Sequence, residues 1–136
     1  MSDPLKMLEK KLQGQINSLQ QNIESLSYQM SLKEQAIDSE NHLLLQALEQ
    51  PAHIVPEKEM NRLNYIICQQ QKIEKIKDEK TFISSQINQL IHKKIRLEQE
   101  LRMINRYIEK KQLEAFKMQQ YNAEKQLDEY ALINSK

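Results

Sequence analysis

The residues of this sequence that could do chemistry are three histidines, one cysteine and many carboxylates. His42, His53 and His92 are far apart, and none stands with a cysteine or carboxylate at the spacing of a metal-binding motif. Cys68 is alone, so no disulfide can form within the chain, and we expect a free thiol. No glycine-rich loop, nucleophile elbow or cysteine–histidine pair occurs. We therefore expect no catalytic residue, no cofactor and no metal site, and we do not expect an enzyme.

The composition indicates long helices. The 136 residues include one glycine and three prolines, whereas globular chains average about 7% glycine and about 5% proline. Hydrophobic residues make up 39% of the chain and charged residues 29%, which favours exposed helices with a narrow apolar face. The formal net charge of +1 gives no reason to expect nucleic acid as a partner.

No segment has the character of a membrane anchor. The wholly apolar runs, such as the three leucines at 43–45, do not exceed four residues, far fewer than the roughly 20 residues of a membrane span. The first residues, MSDPLKMLEKK, lack the apolar core of a signal peptide. We expect a soluble, cytoplasmic protein that does not insert into a membrane.

Two long segments carry apolar residues at alternating spacings of three and four, the pattern of helices that pack along a seam. In the first segment the predicted seam residues are Leu12, Ile16, Leu19, Ile23, Leu26, Met30, Ile37 and Leu44. In the second segment they are Ile66, Ile73, Ile76, Ile83, Ile87, Leu90, Leu97, Leu101 and Ile104.

Charged residues interrupt the seam, among them Lys33, Glu40, Lys80 and Lys94, and Gln69 interrupts it as well. Polar seam residues often fix helix register, and in a thin core their side chains can instead reach solvent along their stems. We expect the lysines to reach solvent, and we leave the role of Glu40 open.

The helix boundaries follow from the prolines. Asp3 and Pro4 suit an N-cap and a first helical position, so helix 1 is predicted at about residues 4–49. Pro51 and Pro56 mark a bend at 50–56, and helix 2 is predicted at about 57–132. The predicted fold is all-α, one domain over 1–136, a long antiparallel two-helix coiled-coil hairpin with unequal arms.

The arms differ in length, so the second helix should extend past the first in an overhang that begins at about residue 103. An apolar face without an internal partner implies an external one. The candidate partner-binding residues are Arg106, Lys110, Lys111, Phe116, Lys117, Tyr121 and Tyr130 in the overhang, with His53, Ile54 and Val55 in the bend. The basic residues could also be a solvated helix face with i,i+4 ion pairs.

Two stretches carry a resemblance to a known family: "IVPEKEMNRLNYIICQQQKIEKIKDEK" at 54–80 and "IRLEQELRMINRYIEKKQLEAFKMQQYNAEKQLDEYA" at 95–131. The first is a bend followed by an acidic helix start, and the second is a polar helix with interspersed aromatic residues. Together with the unequal arms, they resemble the FliJ/YscO family of stalk proteins from flagellar and virulence type III secretion systems.

The resemblance implies a stalk that links a hexameric secretion ATPase to the membrane export gate and modulates ATP hydrolysis, and some members of the family handle export chaperones. The paired ends, near Leu5–Leu12 and from Arg102 onwards, would enter the ATPase pore, and the bend would face the export gate. No catalytic residue carries over, because the family has none.

Two other interpretations remain open. The chain could be a tether or scaffold that works as a parallel or antiparallel homodimer, and the isoleucines and leucines of 16–26 suit a parallel one. A cytosolic chaperone for helical export substrates would likewise expose an apolar helix face to its client. We expect a monomeric hairpin rather than a homodimer.

Overall fold

Two long helices make up the fold of this chain, for which a computed structural model describes residues 4–49 and 53–135. Helix α1 spans Pro4–Leu48 and helix α2 spans Pro56–Asn134, with 45 and 79 residues. The described residues contain no strand, and α1 packs against α2, so the predicted all-α helical hairpin with unequal arms is confirmed. The predicted cap at Asp3, together with Pro51 and the rest of 50–52, lies outside the described residues.

Helix α2 begins at a proline, whose missing amide hydrogen would have no intrahelical acceptor in that position anyway. The backbone amide of Glu59 donates to the carbonyl of Val55 at 2.8 Å, which closes the first turn. Glu57 and Glu59 place negative charge in that turn, where the helix dipole favours it. The helix starts one residue earlier than predicted and continues two residues beyond position 132.

The chain divides into two compact units, one of which is Ser18–Lys94. Its core is a row of apolar side chains between the two helices, of which Ile73 is the most buried at 5% exposure. Leu19, Ile37, Ile66 and Ile83 are also buried. The remaining predicted seam residues of this unit are half-buried: Ile23, Leu26, Met30, Leu44, Ile76, Ile87 and Leu90. Burial of these apolar surfaces is the main force that holds the two helices together.

The second unit combines the start of α1 with residues from Ile95 onwards. Among the residues of this unit that the structure describes, Leu12, Ile16 and Ile108 are buried, and Leu97, Leu101 and Ile104 are half-buried. The overhang predicted to begin at about residue 103 therefore begins later. Every residue from 109 to 135 is exposed, and we call this stretch the uncovered segment.

The later start of the uncovered segment follows from the register between the helices. A fold centred on 50–56 would place Lys33 beside about residue 73, but its ammonium group lies 2.5 Å from the carboxylate of Glu79. Glu40 likewise pairs with Lys72 at 2.9 Å. Each residue of α1 thus lies beside a residue of α2 that is about six positions further along the chain than expected, or roughly 9 Å at 1.5 Å per residue. Helix α1 therefore covers more of α2 than predicted.

Candidate interaction surfaces

The lysines that interrupt the seam bond to the opposite helix. Lys33 pairs with Glu79 at 2.5 Å, and Lys80 pairs with Glu34 at 3.2 Å. The ammonium group of Lys94 donates to the side-chain oxygen of Gln20 at 2.6 Å. The expectation that these lysines only reach solvent is wrong, because each has an oxygen acceptor across the seam. Their side chains remain partly exposed, at 36% for Lys33 and 33% for Lys80. We therefore expect these contacts to set the register between the helices and to add little to the free energy of unfolding.

Glu40 forms the central polar contact of the seam. The side-chain amide of Gln69, which is only 6% exposed, donates to the backbone carbonyl of Glu40 at 3.2 Å and also to its carboxylate. Lys72 completes the contact with the ion pair to Glu40. Hydrogen bonds from Lys72 and then Gln69 lower the pKa of the Glu40 carboxyl below its usual value. The buried amide is thus satisfied, and it fixes which turn of α2 faces Glu40.

Arg62 connects the start of α2 to the end of α1. Its guanidinium pairs with Glu59, one turn earlier on α2, and donates to the backbone carbonyl of Ala47 at 2.8 Å. Ala47 belongs to the last turn of α1, whose carbonyls have no intrahelical donor. A cation at this position also complements the helix dipole. The hydrogen bond from Arg62 lowers the pKa of the Glu59 carboxyl.

The predicted contact residues of the bend, His53, Ile54 and Val55, are all exposed. Ile54 is 76% exposed and Val55 is 45% exposed, and His53 beside them is also open to solvent. The apolar side chains of Ile54 and Val55 are therefore accessible to a partner.

The predicted contact residues of α2 are likewise exposed, and six of them lie in the uncovered segment. Phe116, Tyr121 and Tyr130 are 56%, 61% and 66% exposed. The basic residues are exposed as well: Arg106, Lys110, Lys111 and Lys117. The ammonium group of Lys111 lies 5.0 Å from the centre of the Tyr107 ring, a cation–π contact on the helix surface. Arg106 lies three residues before the uncovered segment begins.

The residues considered first for chemistry do not come together. The ring nitrogen of His42 lies 3.3 Å from the side-chain nitrogen of Gln46, and His53 and His92 are exposed. Cys68 is an exposed free thiol. Within residues 4–49 and 53–135, no three histidine, cysteine or carboxylate side chains are close enough to hold a metal ion.

Sequence reasoning missed two residues of structural importance. Gln69 interrupts the apolar pattern of α2, and a buried glutamine there needs a hydrogen-bond partner that the periodicity does not reveal. Arg62 lies just after the bend, and only the folded chain brings it to the carbonyl of Ala47. The signal that could have identified Arg62 is Glu59 three residues before it, at the spacing of a helical ion pair.

Neither α1 nor α2, over the residues that the structure describes, contains a stretch apolar enough to cross a membrane. Comparison with protein-family models, with curated proteins and with solved structures gives no match for this chain.

Proposed function

We propose that this protein is a coiled-coil stalk or adaptor of a type III secretion apparatus, which links the hexameric secretion ATPase to the export gate and modulates ATP hydrolysis. The observation that carries the proposal is a two-helix hairpin from which α2 continues as a single exposed helix over 109–135. A single helix with accessible aromatic and basic side chains suits insertion between other subunits. The resemblance of 54–80 and 95–131 to FliJ/YscO proteins supports the same assignment.

The mechanism rests on asymmetry. Two packed helices resist bending more than one, and a rod without six-fold symmetry contacts the six subunits of a pore differently. Unequal contacts bias which subunit binds or hydrolyses ATP, which is a coupling free energy between the stalk site and the nucleotide site. Lys110 and Lys117 would contact polar loops of the pore, and Ile54 and Val55 would contact the export gate.

A reconstitution tests the proposal. The full-length chain is mixed with the purified secretion ATPase of the same organism, and complex formation, hexamer formation and ATP hydrolysis are measured. We expect a complex and a changed rate of hydrolysis. Absence of a complex, together with unchanged hydrolysis and unchanged hexamer formation, would refute the proposal.

A pair of matched variants locates the contact. Replacement of Lys110, Lys111 and Lys117 by glutamate should abolish the effect on the ATPase. The same replacement at Lys58, Lys77 and Lys93, which are exposed lysines of α2 outside the uncovered segment, should preserve it. Equal effects of the two triple variants would show that net charge, and not this surface, controls the interaction.

A further inference from the structure

The uncovered segment carries a second apolar stripe that is separate from the seam. Leu113, Phe116, Ala123, Leu127 and Tyr130 follow spacings of three and four, with Gln120 at the remaining position of the series. Such positions lie on one face of a helix. Leu113 follows Ile108 by five residues, which is roughly 140° around the helix axis at 3.6 residues per turn. The stripe therefore begins on a face that points away from the seam that α1 covers.

The stripe is fully accessible. Leu113 and Phe116 are 53% and 56% exposed, and Leu127 and Tyr130 are 69% and 66% exposed. Four large apolar side chains at heptad spacing over about five turns are more than scattered surface residues, and a stripe of this kind is typical of a helix that pairs with another helix.

The charges beside the stripe indicate what pairs with it. Over 109–117 the segment has three lysines and two glutamates, whereas over 118–135 it has one lysine and three carboxylates. The first part is thus net positive and the second net negative. Two copies that run antiparallel place the positive part of each against the negative part of the other, whereas parallel copies place like against like.

We propose that the occupant of this stripe is a second copy of the same segment in antiparallel orientation. With the two-fold axis between positions 121 and 122, Phe116 of one copy packs against Leu127 of the second copy, and Leu113 packs against Tyr130 of the second copy. Gln120 of each copy meets Ala123 of the other. Each layer then joins one residue from each half of the stripe, as a two-fold symmetric interface requires.

The flanking charges fit the same register. In the antiparallel pair Lys117 lies within about two residues, or roughly 3 Å along the axis, of Glu124 of the second copy, so two symmetric ion pairs border the apolar layers. In a parallel pair Lys117 would face Gln112 and Glu124 would face Gln119, and neither ion pair would form. The antiparallel register alone matches apolar and charged positions together.

The dimer does not depend on the proposed ATPase stalk. It would cover Lys117 and Phe116, so dimerisation and insertion into an ATPase pore would exclude each other. The four large side chains of each copy would bury roughly 1,000 Å² in total, near the lower limit of stable interfaces at about 1,200 Å², so the dimer should be reversible.

Sedimentation equilibrium of the full-length chain tests the proposal. We expect a monomer–dimer equilibrium that Phe116→Glu weakens by at least ~10-fold. Met118→Glu is the matched control, because Met118 is 62% exposed two residues away but lies off the stripe, and it should leave the equilibrium unchanged. Both residues are exposed, so both variants should keep the helical content of the parent in circular dichroism. A chain that stays monomeric at all concentrations, or equal effects of the two variants, would overturn the proposal.

Charge reversal tests the antiparallel register. Lys117→Glu and Glu124→Lys should each weaken the dimer, since each sets like charges against one another across the axis. The double variant should restore the affinity, because the ion pairs reform with reversed sign. Failure of the double variant to restore it would exclude the antiparallel pair and with it this assignment.

Discussion

Gln69 and Glu40 meet across the helical seam, where the buried amide of Gln69 donates both to the carboxylate and to the backbone carbonyl of Glu40. The apolar layers around them repeat every seven residues, so an antiparallel pair could slide by one heptad and still match its layers. A glutamine that is 6% exposed tolerates no such slide, because its amide would lose its acceptor. This contact therefore selects one register from a periodic set.

Loss of this contact should be measurable as a loss of stability. Gln69→Ala removes two hydrogen bonds and leaves a gap in the seam, so we expect the free energy of unfolding to fall by about 1–3 kcal/mol. Gln70→Ala, at an exposed neighbouring position, should change it by less than about 0.5 kcal/mol. Urea unfolding followed by circular dichroism measures both. Equal losses would show that helix propensity, and not the cross-helix contact, is responsible.

The stability lost when an isoleucine of α2 is replaced by alanine should depend on whether that isoleucine is buried in the seam. Ile73 is 5% exposed and Ile67 is 53% exposed on the same helix. Ile73→Ala should lower the free energy of unfolding by about 2–4 kcal/mol, since it removes buried methyl groups and leaves a cavity. Ile67→Ala serves as the control and should cost under about 1 kcal/mol. A larger loss from Ile67→Ala than from Ile73→Ala would contradict the orientation of α2.

Gly14 should be a site at which the protein can be stabilised. It lies inside α1, and a Cβ added there would meet no atom within 4 Å. Gly14→Ala should raise the free energy of unfolding by about 0.5–1 kcal/mol, because alanine restricts the unfolded backbone and favours the helix. Thermal unfolding checks it, with the exposed neighbour Gln15→Ala as a near-neutral control. A lower midpoint for Gly14→Ala would mean that this turn of α1 is not a plain exposed helix.

Acid should weaken the hairpin through Glu40 and Glu79. Bonds from Lys72 and Gln69 lower the pKa of Glu40, and the bond from Lys33 lowers the pKa of Glu79. A lowered folded-state pKa adds stability above the unfolded value of about 4.3, and that stability is lost as the pH falls through the folded value. The midpoint of thermal unfolding should therefore fall as the pH drops below about 4.3.

Variants assign the acid effect to these carboxyls. Glu40→Gln with Glu79→Gln should lower the midpoint at neutral pH and flatten its dependence on pH in the acid range. Glu129→Gln alters an exposed carboxylate of the uncovered segment and should leave the dependence unchanged. If the double variant keeps the full acid dependence of the parent, the two cross-helix contacts are not its source.

Arg62 should hold the end of α1. Without its hydrogen bond to Ala47, the last turn of α1 loses a donor for its free carbonyls, so Arg62→Ala should speed amide exchange in that turn several-fold. Lys58→Ala, on the same stretch of α2, is the matched control and should leave exchange unchanged. Equal exchange in the two variants would show that Arg62 does not cap α1 in solution.

The sequence by itself determined the helices and the face that each one buries. Three prolines and a single glycine leave few places where a helix can begin or end. Heptad spacing identified residues such as Ile16, Ile73 and Leu97, all of which are buried or half-buried. These are properties of neighbouring residues on one helix, so periodicity is enough to read them.

Only the tertiary structure decided the register, and with it the point at which α2 becomes uncovered. A periodic seam fits nearly as well after a shift of one heptad, and the observed shift of about six residues is close to that step. Contacts between distant residues resolve the choice: Gln69 with Glu40, Lys33 with Glu79, and Arg62 with the end of α1. They form only when the helices pack, which is why Ile108 is covered although the sequence placed it in the overhang.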